Sequence, residues 1–445
     1  MKTRITIILL LCSVCISSAQ MRKWTLQECV EYAVENNLTI EQAELDLDNA
    51  RIDKSDAIGN LLPRLNGDGR LTENVGLSFN PTSQEPVNTQ LNFTGNLTSV
   101  LDIFDGLRNI RQLQRSKLSA ISSQYQLDDL KDDIRLNVAN AYLQVLSNKE
   151  QLKVFEAQYA VTEQDLLRTK ELVESGVVPR GDLLEIEATA ATQEQQIING
   201  EGLVLISRVN LAQLLQITDY ENFDIADESF EIPPSDILDN SAKVIFDKAL
   251  TFRNDIKLSE SNVDLAKKDL EIAKGAYYPT LSAFINYNTR YSDQNLNPQD
   301  LSIIPFTDQL WLFDGLAYGF TLNIPFFNGW STRNSVKRSK ISLQRSQLEL
   351  EQTKLELESE IQQAHVNVTT FGKAHEAAIK TMEARKLAYE YAKERFNVGL
   401  MNSFDFSQAQ SRVDNAEADV IRTKYDYIFR LKILEFYFGI PISLN

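Results

Sequence analysis

The chain has 445 residues, with 45 Lys and Arg against 62 Asp and Glu, and a formal net charge of −17. A surface that acidic repels nucleic acid and anionic membranes and excludes a polyanion-binding role. After the N-terminus no segment approaches the roughly eighteen consecutive apolar residues of a membrane helix, a test that membrane β-strands escape because they alternate.

The first twenty residues carry Lys2 and Arg4, an apolar run from Ile5 to Ile16, and small residues up to Ala19. About twelve apolar residues are too few to cross a bilayer, so residues 1–19 read as a cleavable secretory signal. Neither Cys12 nor Cys15 follows a small residue, which argues against a lipid anchor. Cleavage takes two of the 45 basic groups, leaving 43 against 62 acidic ones and a charge of −19. Cys29 is then the remaining cysteine, no intrachain disulfide can form, and the elements must be held by packing.

Residues 24–62 read as helix, with Leu26, Val30, Ala33, Leu38, Ile40, Leu45 and Leu47 on a broad apolar side, ended by Pro63. From Leu65 the period changes to two. Over 65–79, Leu65, Leu71, Val75, Leu77 and Phe79 face one way while Asn66, Asp68, Arg70, Thr72 and Asn74 face the other, with Glu73 the exception. After the Pro81–Pro86 loop a second strand, about 90–104, alternates Leu91, Phe93, Leu97, Leu101 and Ile103 with Asn92, Thr94, Asn96, Thr98 and Asp102. So regular a polar face is wasted in a sandwich core and suits a water-filled lumen. Each strand exceeds the nine to eleven residues that cross a membrane.

Gly106–Ser175 follows, with no proline and no glycine after its first position. As one helix it would run about 105 Å, too long for a single compact domain. Apolar or small residues at Leu127, Leu130, Ile134, Val138, Ala141, Val145, Leu152, Phe155 and Tyr159 mark a coiled-coil seam. The stretch recurs 223 residues later as Gly329–Val398, where only Thr353 and His375 are polar replacements on the copied seam. An in-register copy of that length is a duplication.

Gly176 and Gly399 match at 223 and stop the two long helices, and return helices follow at about 182–216 and 405–438. A copy of the first helix lies at 242–278, reached through an acidic connector at 218–240 that contains Pro233 and Pro234 and reads as running outside the helices. There the offset is 216, so the second copy must carry seven extra residues, placed in the loop 291–316 between strands 281–291 and 317–326. The domain reading is therefore a first repeat at 20–217, the connector, and a second repeat at 241–445.

Four strands cannot close a barrel, and two, three or four copies would supply eight, twelve or sixteen. The helices continue from the strands, so closing the sheet closes a ring of helices beneath it. The expected fold is an α+β membrane protein, internally duplicated, with long coiled-coil helices and four transmembrane strands per chain.

The junctions Leu101-Asp-Ile-Phe-Asp-Gly-Leu-Arg108 and Leu322-Asn-Ile-Pro-Phe-Phe-Asn-Gly-Trp330 resemble those of the TolC-type outer-membrane efflux proteins. Val398-Gly-Leu-Met-Asn-Ser-Phe-Asp405, followed by Gln408-Ala-Gln-Ser, resembles that family's helical tip. The resemblance covers essentially the whole mature chain. It implies a homotrimer in the outer membrane with a twelve-stranded barrel set in lipid and an α-helical tunnel in the periplasm. It also implies partners: a periplasmic adaptor (membrane fusion protein) and an inner-membrane transporter.

By the same resemblance Asp405 falls on a carboxylate-ring position of the entrance, and Asp182 on the matching place, each six residues past its glycine. The plainer reading of both is the N-cap of a return helix, and the two roles are compatible. The second ring position is Gln408, and the places of a Tyr and Arg lock hold Phe396 and Met401, so closure by apolar contact, or simple hinge packing, is expected there. Gly176, Val177, Val398, Gly399 and Leu400 occupy the tips at which the family meets its adaptor.

His365 and His375 lie ten apart, which is not a metal-pair spacing, and His375 reads as a packed seam residue. No phosphate loop or nucleophile elbow is present, so neither cofactor, metal nor catalysis is expected. Trp311 and Phe313, in the longer loop, suit either an anchor at the membrane interface or a plug against neighbours. The function expected is a passive exit duct for efflux or type I secretion, with the cargo left open. The alternative is a non-conducting periplasmic coiled-coil scaffold, which leaves four amphipathic strands unexplained.

Overall fold

The structure is a computed structural model that describes residues 23–79, 86–226, 231–297, 299 and 302–441. The signal segment 1–19 and positions 81–85 of the first hairpin loop lie outside the described residues. In chain order the first half has β1 (Lys23–Trp24), α1 (Leu26–Asn36), α2 (Leu38–Gly59), β2 (Arg64–Phe79), β3 (Pro86–Phe104), α3 (Arg108–Glu174) and α4 (Arg180–Leu214). The second half has β4 (Asp224–Ile225), a 3-10 turn (Ile237–Asp239), α5 (Ala242–Phe252), α6 (Asn254–Gly275) and β5 (Thr280–Ser292). It continues with α7 (Phe306–Leu312), β6 (Gly315–Asn323), α8 (Ser331–Asn397) and α9 (Ser403–Tyr437).

The duplication is visible residue by residue. α3 and α8 have 67 residues each and α4 and α9 have 35 each, and both second-copy helices start and stop at the 223-residue offset. α5 and α6 repeat α1 and α2 at the 216-residue offset, with 11 and 22 residues in each copy.

Two compact units result, one from residues 23–44, 126–256 and 353–441, the other from 45–125 and 257–352. The second contains an antiparallel sheet ordered β2-β3-β5-β6. Its register places Leu71, Phe93 and Tyr291 across one another, and likewise Leu97, Tyr287 and Leu316, so the apolar alternations of all four strands share one face. Asp68, Asn96 and Asn288 line up on the opposite face, as do Asn66, Thr98 and Asn286. Hydrogen bonds knit that polar face, Asn96 Nδ2 to Asp68 at 2.9 Å and Asn286 Nδ2 to Thr98 at 2.9 Å. β2 and β6 are the sheet's two edges, and Leu71, Leu77, Tyr318 and Phe320 on them are exposed.

Both strand-to-helix junctions use the same backbone device. Gly106 and Leu107 have φ of 74° and 65°, and their repeat mates Gly329 and Trp330 have 61° and 67°, the left-handed region that glycine tolerates and Leu or Trp does not favour. A Cβ on Gly106 would collide with the Gly275 carbonyl, so α6 can pass this close only because both positions are glycine. The Asp105 carboxylate accepts from the Asn109 backbone N–H at 2.7 Å, and Arg111 and Arg115 pair with Glu271 and Asp269, fixing the start of α3 along α6.

In the other unit the core is built twice. Leu26, Cys29 and Ala33 of α1 pack with Val138, Tyr142 and Val145 of α3 and Leu211 of α4. Ile245 and Ala249 of α5 pack with Ile361, Ala364 and Val368 of α8 and Leu434 of α9. Seam positions of both long helices point into these clusters. His375 is buried with Nδ1 3.1 Å from Thr423 Oγ1, and burial followed by Lys424 lowers its pKa, so it packs neutral.

The structure corrects four details of the sequence reading. The first helix is interrupted at Asn37 and its copy at Arg253, each a single residue in extended geometry that an apolar-periodicity argument passes over. β6 ends at Asn323 rather than Phe326, since Pro325 offers no N–H to continue a ladder. The connector, read only as running outside the helices, is packed against them: β4 pairs in parallel with β1, Phe223, Ile225 and Ile237 are buried, and Lys149 and Arg208 hold Asp224. The loop after β5 contains α7, pinned by the fully buried Gln309, whose amide donates to the Ser292 and Ile304 carbonyls and accepts from the Ser292 N–H and Asn295.

Candidate functional site

The predicted site residues gather where the two helical hairpins, α3–α4 and α8–α9, turn. Both turns close identically. Val177 N–H donates to the Leu172 carbonyl and Gly176 N–H to Val173, while Leu400 donates to Arg395 and Gly399 to Phe396, the paired pattern of a helix ended by a left-handed residue. Gly176 and Gly399 supply it, with φ of 72° and 74°. The caps free the next side chains from local duty. Val177, Val398 and Leu400 are each about 70 % exposed, an apolar crown on the turns.

A cleft of about 510 Å³ separates the two tips within this unit. Val177, Asp182, Phe396, Val398, Gly399 and Met401 all line it, so six of the ten sequence-predicted residues share one cavity. Gly176 and Leu400 sit on the crown outside it. Asp405 and Gln408 line a different, shallower groove between α8 and α9, together with Arg395 and Arg412.

The two aspartates have parted company. Neither is an N-cap: Asp182 and Asp405 are each the third residue of a return helix, and Pro179 and Asn402 take the cap positions. Asn402 Oδ1 accepts from the Asp405 N–H at 2.7 Å and its amide donates back to the Asp405 carboxylate at 3.0 Å. Proline has no such side chain, and Asp182 is instead engaged across the cleft, accepting from Ser403 Oγ at 2.6 Å. Asp182 is half-buried and Asp405 exposed.

Phe396 stacks on Phe406 with centroids 4.6 Å apart and planes within 7°, and Tyr389 stacks on the other flank at 5.6 Å. Phe406 is buried, so this triple stack packs α8 on α9. One edge of Phe396 still faces the cleft.

A polar layer that sequence reasoning missed lies next to the tips along the same hairpins. Gln410 Nε2 donates to Thr162 Oγ1 at 2.7 Å, Gln193 Nε2 to Asp414 at 2.8 Å, and Gln158 Nε2 to Glu417 at 3.1 Å, while Thr189 and Ser407 share a hydroxyl contact at 2.5 Å. Burial pushes the Asp414 carboxyl up to about 6, opposed by the Gln193 hydrogen bond and reinforced by Glu417. Tyr389 is pushed up to about 12 by burial, with Asp165 and Asp414 adding. Among the described residues Asp165 Oδ2, Tyr389 Oη, and the Oε1 atoms of Gln158 and Gln193 are buried without a hydrogen-bond partner. The signal was in the sequence. The α3 seam continues beyond Phe155 in steps of three and four as Gln158, Thr162, Asp165 and Thr169, all polar.

A sheet apolar on one face and polar on the other, in an internally duplicated chain whose helical hairpins end in exposed apolar tips, marks an α+β membrane channel protein. The profile of the outer membrane efflux protein family matches residues 30–215 and 245–439, and the chain belongs to that family. Its site of action is the outer membrane, where it is an exit duct. Similar proteins include the probable efflux pump outer membrane protein TtgC of Pseudomonas putida, 22 % identical over 89 % of this chain and 79 % of the relative. The proteases secretion protein PrtF of Dickeya chrysanthemi is 20 % identical over 93 % and 87 %. The crystal structure of the Campylobacter jejuni CmeC outer membrane channel superposes with a TM-score of 0.79 at 18 % identity, covering 93 % of this chain and 85 % of that one.

Proposed function

We propose that three copies of this chain assemble into a twelve-stranded outer-membrane barrel with a periplasmic helical tunnel. The duct accepts cargo from an inner-membrane transporter through a periplasmic adaptor. The observation that carries this reading is the open sheet: four strands, one polar face, one exposed apolar face, and edges at β2 and β6. Such edges call for further strands, and closure alone removes them. Three copies place the polar face around a lumen and the apolar face in lipid.

The apolar crown of Val177, Val398 and Leu400 on glycine-capped turns supports its use as the adaptor-docking surface. Of the two entrance carboxylates, Asp405 is the exposed one and so the better candidate for an acidic ring, while Asp182 serves as a clasp to Ser403. Phe396 and Met401 give the cleft between the tips an apolar lining in place of a polar lock.

The test is direct. Purified full-length protein should have the mass of a trimer in detergent by light scattering and should form conducting pores in a planar bilayer. A monomer that stays soluble without detergent and conducts nothing would favour the scaffold reading and overturn the duct.

A further inference from the structure

The polar face of the sheet holds its arginines in two different ways. At the start of β2, Arg64 is neutralised, with Nη2 3.5 Å from the Asp102 carboxylate. Farther along, the register sets Arg70, Thr94 and Arg290 in one row across β2, β3 and β5. Neighbouring strands lie about 4.8 Å apart, so the two arginines stand about 10 Å apart with a hydroxyl between them. Both side chains are exposed, and neither makes an ion pair among the described residues. Asp68, in the adjacent row of the same face, accepts instead from Asn96 Nδ2 at 2.9 Å.

Arg290 is supported without being neutralised. Its guanidinium lies 5.4 Å from the centroid of the Phe313 ring, and Phe313 directly follows α7, which Gln309 ties to Ser292 of β5. A ring covers one face of the planar cation and leaves its N–H edge free to donate. The second copy's seven extra residues fall in the loop that carries α7 and Phe313, so this support has no counterpart in the first copy. Nor is the pair of arginines a product of the duplication. At the 216-residue offset the mate of Arg70 is Asn286 and the mate of Arg290 is Asn74. Each copy carries its arginine at a different repeat position, and the sheet register brings the two into one row. Two cations so placed repel each other, and an anion bridging them relieves the repulsion through charge-assisted hydrogen bonds. The chain as a whole carries −17, so an anion is repelled by the general surface and held only where cations are gathered.

We propose that the barrel lumen carries an oxyanion site, in which the Arg70 and Arg290 guanidinium groups and the Thr94 hydroxyl take a carboxylate, phosphate or sulfonate group of a solute in transit. This rests on the duct reading, in which three copies set three such sites around the lumen, and adds to it a class of solute that the barrel favours. Because the row lies on the polar face, its occupant comes from the water-filled passage and not from the lipid on the other side. Phe313 is a positioning residue, holding Arg290 without touching the anion.

Planar-bilayer recording of the full-length protein, with inorganic tripolyphosphate added on the barrel side, tests the site. The wild type should show concentration-dependent block. At the same salt, Arg70→Gln with Arg290→Gln should raise the half-blocking concentration at least tenfold, and Arg290→Gln alone, a single change at an exposed position, several-fold. Arg70→Glu with Arg290→Glu should lose the anion block and gain block by spermine from the same side, which also shows that the variant forms pores. Wild-type pores that tripolyphosphate does not block, or pores blocked equally in the wild type and the glutamine variants, overturn the site and leave the duct standing. A wild-type protein that forms no pores at all overturns both.

Discussion

Replacing Asp414 with Asn should stabilise the protein at neutral pH. In the folded chain the Asp414 carboxyl is pushed from 3.8 up to about 6, with burial the largest cause and Glu417 adding to it. A folded pKa above the unfolded one means that folding favours the protonated acid. Stability is therefore highest below about pH 4, falls as pH rises to about 6, and is flat above. Two units at 1.36 kcal/mol each would be about 3 kcal/mol, reduced to about 1–2 kcal/mol because the group keeps partial contact with solvent. Asparagine keeps an oxygen to accept from Gln193 Nε2 and adds an N–H beside Gln158 and Gln193, whose Oε1 atoms are buried without partners. The assay is thermal unfolding by helical circular dichroism from pH 4 to 7.5 on both proteins. Asp129, likewise raised to about 6, titrates in both, so only the difference reports Asp414. The difference should grow as pH rises through the window. A wild type more stable than D414N at pH 7.5, or a difference that does not change with pH, refutes the reasoning.

Two glycines at almost the same φ should behave unlike each other. Gly106→Ala must push a Cβ into the Gly275 carbonyl and should abolish insertion of the barrel, whereas Gly176→Ala meets nothing within 4 Å and should cost only the left-handed penalty of about 1–2 kcal/mol. Heat-modifiable oligomer bands on gels read both. Phe406→Ala empties the middle of a three-ring stack at a buried site and should cost about 3–5 kcal/mol, seen as a lowered unfolding temperature and as irregular channel opening. Trp311 is 76 % exposed on α7, which packs through Phe306 on Phe93 and Tyr291 of the apolar sheet face. Brominated lipid should quench part of the emission of vesicle-reconstituted protein, and Trp311→Phe should remove that part. Quenching by aqueous iodide alone would place α7 in water.

The fold was legible because its largest signals are periodic. An apolar seam in steps of three and four, copied 223 residues on, fixed both long helices to within two residues of Arg108–Glu174 and Ser331–Asn397. Alternation of Leu and Phe with Asn and Thr fixed the faces of β2 and β3. What escaped were single-residue decisions that no period records: the extended Asn37 and Arg253, and Gln309 trading four hydrogen bonds to hold α7. At the site, glycine spacing located the tips, but no pattern says which neighbour an aspartate meets. Asp182 and Asp405 are both third residues of their return helices, yet Ser403 holds the first and the Asn402 cap the second.

The two copies diverge where physics allows it. Core mates keep their character, Val138 with Ile361, Ala141 with Ala364 and Val145 with Val368, because a packed interior accepts little beyond volume-conserving change. Contact mates change class: Ser403 corresponds to Arg180, Gln410 to Glu187 and Thr162 to Arg385. A ring of duplicated chains has two kinds of hairpin junction, one covalently tethered and one between copies, and only divergence lets them differ in strength.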